Sequence, residues 1–166
     1  MRILIVDDNE ASLQSLSMVL TDLGHDPLGV FSAHEALERI QQEYFPLVIT
    51  DIRMPGMDGL ELLGRLKQNT LGPAQDVVII TGHGDMETAI EALRKGAYDY
   101  LNKPINAREL AAVVERSAEH LSLLLENQEY EQRFDSKVDE ATRQIRKNLE
   151  EVRTRLKTVE GVGDIV

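Results

Sequence analysis

The segment RILIVDDNE, residues 2–10, sets an apolar run directly against two adjacent carboxylates, Asp7 and Asp8. Residues 3–6 are apolar throughout and mostly β-branched, which is typical of a central parallel strand that is covered on both faces. Two neighbouring carboxylates repel each other, and burial makes the repulsion costlier unless a cation lies between them. The segment therefore predicts a buried strand that ends in either a solvated acidic turn or a metal site.

Similar short runs recur along the first two thirds of the chain and alternate with segments of helical spacing. The further strand candidates, two weaker and two strong, are residues 28–31, 47–50, 77–81 and 98–101. Gly24 is a typical residue to follow the end of the first helix. Ser32 and Glu35 form a capping-box pattern at the start of the second helix. Five strand–helix units in strict alternation predict an α/β fold, a doubly wound parallel sheet with right-handed crossovers.

Composition excludes several classes of protein. The chain of 166 residues has a net charge of −11 and no cluster of Lys and Arg, which argues against direct binding of nucleic acid. It has no cysteine, so disulfides and zinc–thiolate sites are excluded. No apolar run approaches the ~20 residues that a bilayer span needs, and Met1 leads into a strand instead of a signal peptide. We expect a soluble, cytoplasmic protein with no membrane contact.

The character of the sequence changes after about residue 118, because residues 119–160 contain neither proline nor glycine. Apolar residues recur there at a seven-residue spacing, at Leu124, Val138, Ile145, Val152 and Val159, with Leu121, Leu149 and Leu156 at companion positions. The repeat is interrupted by polar residues at Gln128, Glu131, Asp135 and Thr142. We predict one domain over 1–118 and a helical coiled-coil linker over 119–160 that continues the fifth helix. A partner helix, and so a homodimer, is implied, unless the helix is solvated and frayed.

Five polar residues follow the ends of the predicted strands: Asp7, Asp8, Asp51, Thr81 and Lys103. Ligands of open α/β sheets bind beyond the carboxyl ends of the strands, so these chain-distant residues should converge. Three carboxylates would form the hard, oxygen-rich pocket that Mg²⁺ prefers. A lysine and a hydroxyl beside such a metal site suit phosphoryl transfer, in which a carboxylate such as Asp51 can act as the nucleophile.

The segments VDDNE, VITDIRMPGMDG, VIITGHGD and GAYDYLNKP together resemble the receiver domain of two-component response regulators. The spacing also agrees, with 30 positions from Asp51 to Thr81 and 22 from Thr81 to Lys103. The resemblance covers about residues 1–118 and is strongest to receivers of nitrogen-regulatory, enhancer-binding activators. It implies a flavodoxin-like, five-stranded sheet of order 2-1-3-4-5. No ATPase or DNA-binding pattern follows residue 118, so we expect an N-terminal piece of a larger regulator, with residues 161–166 as a truncated tail.

The resemblance implies a role for each residue at the strand ends. Asp51 would accept a phosphoryl group from a sensor histidine kinase. Mg²⁺ would be bound by Asp8, Asp51 and the backbone carbonyl of Arg53, and by Asp7 mostly through a water. Lys103 would pair with the phosphoryl oxygens. We therefore expect no enzymatic activity beyond self-phosphorylation and self-dephosphorylation.

The resemblance also implies a switch. The Thr81 hydroxyl would move onto the phosphoryl group, and Tyr100 would turn into the space that it leaves. A cis peptide bond is expected before Pro104, and the positions of Arg53 and His83 would influence dephosphorylation. The face formed by the fourth helix, fifth strand and fifth helix would carry the signal to the coiled-coil dimer, and from there to an absent output domain that regulates transcription.

Two other functions stay open at this point. Haloacid-dehalogenase-like phosphatases combine a nucleophilic aspartate, Mg²⁺, threonine and lysine on a doubly wound sheet, but they carry an acid–base aspartate where this chain has Arg53. The other alternative is a coiled-coil scaffold whose receiver site is vestigial. Phosphatase turnover that is lost in the Asp51→Asn variant would favour the phosphatase. Failure of the chain to take up a phosphoryl group would favour the scaffold.

Overall fold

The structure is a computed structural model that describes residues 1–68, 74–82 and 86–160, with side chains described as far as residue 157. Strands and helices alternate in this part of the chain, as the sequence predicts. Their bounds are β1 Arg2–Val6, α1 Glu10–Asp22, β2 Asp26–Val30, α2 Ala33–Gln42, β3 Leu47–Asp51, α3 Gly59–Gln68, β4 Asp76–Thr81, α4 Met86–Arg94, β5 Asp99–Asn102 and α5 Ala107–Glu160. His83 and the tail 161–166, for which the sequence predicts roles, lie outside the described residues.

The five strands form one parallel sheet of order β2-β1-β3-β4-β5. This arrangement confirms the predicted flavodoxin-like fold. Because all strands run in the same direction, their carboxyl ends lie along one edge of the sheet. Asp51 of β3 is in register with Ile80 of β4, and Thr81 is in register with Asn102 of β5. The topology therefore brings the predicted site residues to a common edge.

Helices cover both faces of the sheet and bury a separate apolar cluster on each. One cluster contains alternate strand residues such as Leu4 and Val6, packed with buried residues of α2, α3 and α4. The other contains Ile3 and Ile5, packed with α1 and the first part of α5. Burial on both faces explains why the central strands are apolar throughout instead of alternating with polar residues.

The strands with the weakest sequence signals are the two edge strands of the sheet. β2 begins at Asp26, two residues earlier than predicted, and therefore contains Pro27. Proline lacks a backbone N–H and is tolerated only where the hydrogen bond is not needed, as on an edge strand. The helix boundaries agree with their predicted signals: Gly24 has φ +82°, and the Ser32 side chain accepts a hydrogen bond from the Glu35 backbone N–H.

A buried carboxylate lies at the opposite, amino edge of the sheet. Asp76 is the first residue of β4, and its carboxylate accepts a hydrogen bond of 2.8 Å from the Ser117 hydroxyl. The Nδ1 atom of His120 lies 3.0 Å from the same carboxylate. We call these three residues the Asp76 cluster. Sequence reasoning assigned no role to His120, which the structure shows to fasten α5 to the start of β4.

The chain divides into two compact units, Met1–Leu124 and a second that begins at Leu125. The first unit contains the sheet and its covering helices. The described residues of the second form the later part of α5, whose side chains are all exposed from Leu125 to Lys157. Within the described residues, no helix combines the length and the apolar character that crossing a membrane requires.

Candidate functional site

The turn after β1 fixes the first two acids of the site. Asp7 is fully buried, and its Oδ1 atom accepts a hydrogen bond of 2.8 Å from the backbone N–H of Asn9. Asn9 is also the N-cap of α1, because its side chain accepts a hydrogen bond from the backbone N–H of Ser12. The start of α1 therefore orients the Asp7 carboxylate, while Asp8 is exposed at the surface of the site.

Asp51 is the last residue of β3 and is held on both carboxylate oxygens. Its Oδ1 atom accepts a hydrogen bond of 3.2 Å from the backbone N–H of Arg53, and its Oδ2 atom lies 2.5 Å from Nζ of Lys103. The residue is only 7% exposed, so the carboxylate is directed towards the site and not into open solvent. A carboxylate that is fixed in this way can present one defined oxygen to an incoming group.

Lys103 lies just beyond β5, before a cis peptide bond to Pro104 that confirms the prediction. Its ammonium contacts Asp51 and also lies 3.3 Å from Asp7. Partial burial by itself would lower the pKa of Lys103, but the hydrogen bonds and negative charges of Asp51 and Asp7 outweigh burial and raise the pKa above its ordinary value. Lys103 is therefore a stable positive charge at the centre of the site.

Asp7, Asp8 and Asp51 form an acidic cluster, in which one carboxylate oxygen from each residue lies within 4.8 Å of the others. Three carboxylates with one ammonium leave a surplus of two negative charges. Oxygen donors at this separation, with a negative surplus, match the ligand preferences of a hard divalent cation such as Mg²⁺. The donor set therefore fits the metal that the sequence predicts. Of the two alternatives for Asp7 and Asp8, the structure favours a cation site over a solvated acidic turn.

Thr81 and Tyr100 lie on neighbouring strands at this end of the sheet. The buried hydroxyl of Thr81 donates a hydrogen bond of 2.9 Å to Oδ1 of Asn102, the last residue of β5. Tyr100 is half-buried and packs against the apolar cluster that contains Val6. The sequence prediction named Thr81 and Tyr100 but missed Asn102, which is the hydrogen-bond partner of Thr81.

Gly59 is a second residue whose importance sequence reasoning missed. The residue before it, Asp58, caps α3, because its side chain accepts a hydrogen bond from the backbone N–H of Glu61. However, a Cβ atom on Gly59 would lie 2.2 Å from the backbone oxygen of Asp51 and 2.9 Å from the Cα atom of Ile52. Glycine at this position lets α3 pack directly against the backbone that carries Asp51.

Comparison with known proteins agrees with this geometry. Residues 3–115 match the family described as the response regulator receiver domain. The chain belongs to this family. The match favours a receiver, a module of phosphorylation-dependent signalling, over the phosphatase that the sequence left open. Receivers bind Mg²⁺ at an acidic pocket, and the acidic cluster is the corresponding feature of this chain.

Individual relatives are regulators of the predicted kind. The response regulator protein FleR of Pseudomonas aeruginosa is 44% identical over 117 residues, which are 70% of this chain and 24% of FleR. The DNA-binding transcriptional regulator NtrC of Klebsiella pneumoniae is 39% identical over 116 residues, 70% of this chain and 24% of NtrC. The chain therefore spans about a quarter of the length of the curated relatives that it matches.

Solved structures extend the likeness to the fold. The crystal structure of the receiver domain of NtrX from Brucella abortus matches with a TM-score of 0.67 and 41% identity, over 70% of this chain and 98% of that domain. A receiver structure from Clostridium thermocellum matches with a TM-score of 0.70 and 34% identity, over 74% of this chain and 98% of that one.

Proposed function

We propose that Asp51 is the phosphoacceptor of this receiver and that a sensor histidine kinase is the donor. One carboxylate oxygen of Asp51 would form a bond to phosphorus while the phosphorus–nitrogen bond of the kinase phosphohistidine breaks, and the departing imidazole would take up a proton. The observation that supports this proposal best is the fixation of Asp51 by Lys103 and by the backbone N–H of Arg53, at the centre of the acidic cluster. A nucleophile in this position needs no further activation than orientation and charge neutralisation.

We infer that Asp8, Asp51 and the backbone carbonyl of Arg53 would hold Mg²⁺, with Asp7 contributing through a water molecule. When bound, Mg²⁺ would neutralise negative charge on the phosphoryl oxygens. Lys103 would supply the second positive charge, because its raised pKa keeps it protonated throughout the physiological range. Asp7 would hold Lys103 beside the acceptor through its own contact with the ammonium.

Phosphorylation would be transmitted by Thr81 and Tyr100. Thr81 would exchange its hydrogen bond to Asn102 for one to the phosphoryl group, and Tyr100 would move towards the vacated position. The signal would pass to the face formed by α4, β5 and α5. In support, α4 exposes three apolar residues at helical spacing, which suit recognition by another surface: Met86, Ile90 and Leu93.

The output would be a change in a homodimer formed through the helical linker, residues 119–160, which follows a receiver domain over 1–118. The dimer would control a transcriptional output domain in a longer regulator. The name of NtrC as a DNA-binding transcriptional regulator supports this assignment. The acidic charge of the present chain makes its own contact with DNA unfavourable.

Phosphorylation can be tested directly by incubating the purified chain with acetyl phosphate and Mg²⁺ and measuring its intact mass. We expect the mass of one added phosphoryl group, and no addition to the Asp51→Asn variant. Asp76→Asn is the matched control, because Asp76 is also buried at the end of a strand but lies at the opposite edge, and this variant should be labelled normally. Equal labelling of Asp51→Asn and the parent chain would contradict the proposal.

The switch can be tested by light scattering and small-angle scattering with beryllofluoride, a mimic of the phosphoryl group, in the presence of Mg²⁺. We expect the mass or the scattering profile of the parent chain to change on addition. Thr81→Ala should still take up phosphate at Asp51 but should show no such change, because the hydroxyl that relays the signal is absent. A change of the same size in Thr81→Ala would remove Thr81 from the relay.

A further inference from the structure

The later part of α5 carries an apolar stripe that packs against none of the residues that the structure describes. Tyr130 and Phe134 are 72% and 60% exposed, although aromatic side chains of this size are normally buried. They belong to a set at helical spacing, which we call the α5 stripe: Asn127, Tyr130, Phe134, Val138, Ala141, Ile145, Leu149, Val152 and Leu156. Because α5 is a continuous helix, the stripe occupies an arc of about 100°.

The α5 stripe follows an 11-residue repeat and not the heptad that the sequence suggested. Its residues are spaced by three, four and four positions in turn. The heptad required four polar residues at the seam and also Leu121, which is buried within the first unit and cannot contact a partner. The 11-residue spacing leaves out these polar residues and Leu121 and includes Tyr130, Phe134 and Ala141 instead. Only Asn127 remains polar, and an 11-residue repeat favours straight or right-handed pairing.

Charge divides the same helix into two halves. Residues 126–140 contain six acidic and two basic side chains, a net charge of −4, whereas residues 143–157 contain six basic and two acidic side chains, a net charge of +4. In a parallel pair of identical helices, each half would lie against a half of the same sign. In an antiparallel pair, the acidic half of each helix would lie against the basic half of the other.

We propose that the α5 stripe binds the α5 stripe of a second copy of this chain in antiparallel orientation. The proposal rests on the homodimer of the proposed function and specifies its direction and register. The two-fold axis would pass between residues 139 and 140. The facing positions would then be Asn127 with Val152, Tyr130 with Leu149, Phe134 with Ile145, and Val138 with Ala141.

This register is supported by the stripe and by its flanks. From residue 127 to 152 the intervals of the stripe are 3, 4, 4, 3, 4, 4 and 3, which read the same from either end. An antiparallel pair therefore places the apolar residues of the stripe between 130 and 149 opposite one another, and Asn127 opposite Val152. Asp135 and Arg146 project from the same flank of the stripe and would face each other across the pair, as would Glu126 and Arg155 on the other flank.

The orientation can be tested with single cysteines, because the chain has none of its own. Asn127→Cys and Val152→Cys variants of the full chain, one of them carrying a mass tag, are mixed and oxidised gently. An antiparallel pair gives the mixed disulfide and few homodisulfides, whereas a parallel pair gives the two homodisulfides and little mixed product. Ser136→Cys, on the opposite side of the helix, is the control and should not be cross-linked.

A second experiment measures the dissociation constant of the dimer by analytical ultracentrifugation at increasing salt concentration. We expect roughly tenfold weaker dimerisation between low and molar salt, because screening removes the attraction between opposite halves. Asp135→Arg should weaken the dimer, and Asp135→Arg with Arg146→Asp should restore it. Homodisulfides, or a dimer that strengthens with salt, would overturn the antiparallel orientation and leave the homodimer intact.

A chain that is monomeric at every concentration and in both phosphorylation states would overturn this proposal and the homodimer together. It would not affect the role of Asp51, which is read separately from the intact mass. A dimer of the expected mass that gives neither kind of disulfide would show that the α5 stripe is not its interface, which also overturns the proposal.

Discussion

Both edges of the sheet hold buried carboxylates, but the negative charge of these carboxylates is compensated by different neighbours at each edge. At the carboxyl edge, the three carboxylates of the acidic cluster are accompanied by the ammonium of Lys103, and these four groups together carry a surplus of two negative charges. At the amino edge, the carboxylate of the Asp76 cluster has a hydroxyl and an imidazole as partners. Among the described residues, the carboxylate of the amino edge has its hydrogen-bond partners, whereas the carboxylates of the carboxyl edge keep a negative surplus that fits a cation.

This difference separates a structural acid from a functional one. A buried carboxylate whose hydrogen bonds are satisfied fastens two elements together. Carboxylates that repel each other reduce stability, so their presence indicates a ligand that compensates them. Exposure alone does not make the distinction, because Asp7 and Asp76 are both buried. A structural carboxylate is distinguished from a functional one by the number of charged and hydrogen-bonding groups around it and by the sign of their charges.

The largest effect is expected from Gly59→Ala at the carboxyl edge. The new Cβ atom would collide with the backbone of Asp51 at 2.2 Å, and neither α3 nor β3 can move without disturbing the core. We expect a loss of about 3 kcal/mol or more in the free energy of unfolding, measured with urea, together with poor phosphorylation of Asp51.

Gly64→Ala provides the matched control for that experiment. Gly64 lies within the same helix, and a Cβ atom there would meet no other atom within 4 Å. Since alanine restricts the unfolded chain and favours helix, we expect this variant to be about 0.5 to 1 kcal/mol more stable than the parent. Equal destabilisation by the two substitutions would refute the role given to the close contact of Gly59.

An intermediate effect is expected from Asp76→Ala at the amino edge. The substitution leaves the buried hydroxyl of Ser117 without its acceptor and separates His120 from β4. We expect the free energy of unfolding to fall by about 2 kcal/mol, while Asp51 is still phosphorylated under native conditions. Loss of phosphorylation in a folded Asp76→Ala variant would mean that the two edges are not independent.

An effect smaller than that of Asp76→Ala is expected from Mg²⁺ and Asp8→Asn at the carboxyl edge. If the dissociation constant is about 1 mM, Mg²⁺ at about 10 mM should add about 1.4 kcal/mol to the free energy of unfolding. Asp8→Asn should lose this increment and should be more stable than the parent in EDTA, because one repulsive charge is gone. The Asp76→Asn variant should keep the full increment. An identical response of both variants to Mg²⁺ would contradict the assignment of the acidic cluster as the metal site.

Much of the site could be predicted from the sequence for a simple geometric reason. A parallel sheet gathers the residues at the carboxyl ends of its strands along one edge, so the predicted strand ends at 6, 50, 81 and 101 already imply which side chains meet. Asn102 was unmarked because its role depends on the register between β4 and β5.

Sequence alone determined the alternation of strands and helices, the acidic residues at the strand ends, and the division of α5 into an acidic and a basic half. Hydrophobic periodicity and charge are properties of the local sequence. The tertiary structure decided that Asp76 is a satisfied acid and that His120, 44 residues away, is its partner. It also decided that Gly59 must lack a side chain. These facts depend on distances of a few ångströms between segments that are remote in the chain, and no local pattern encodes such distances.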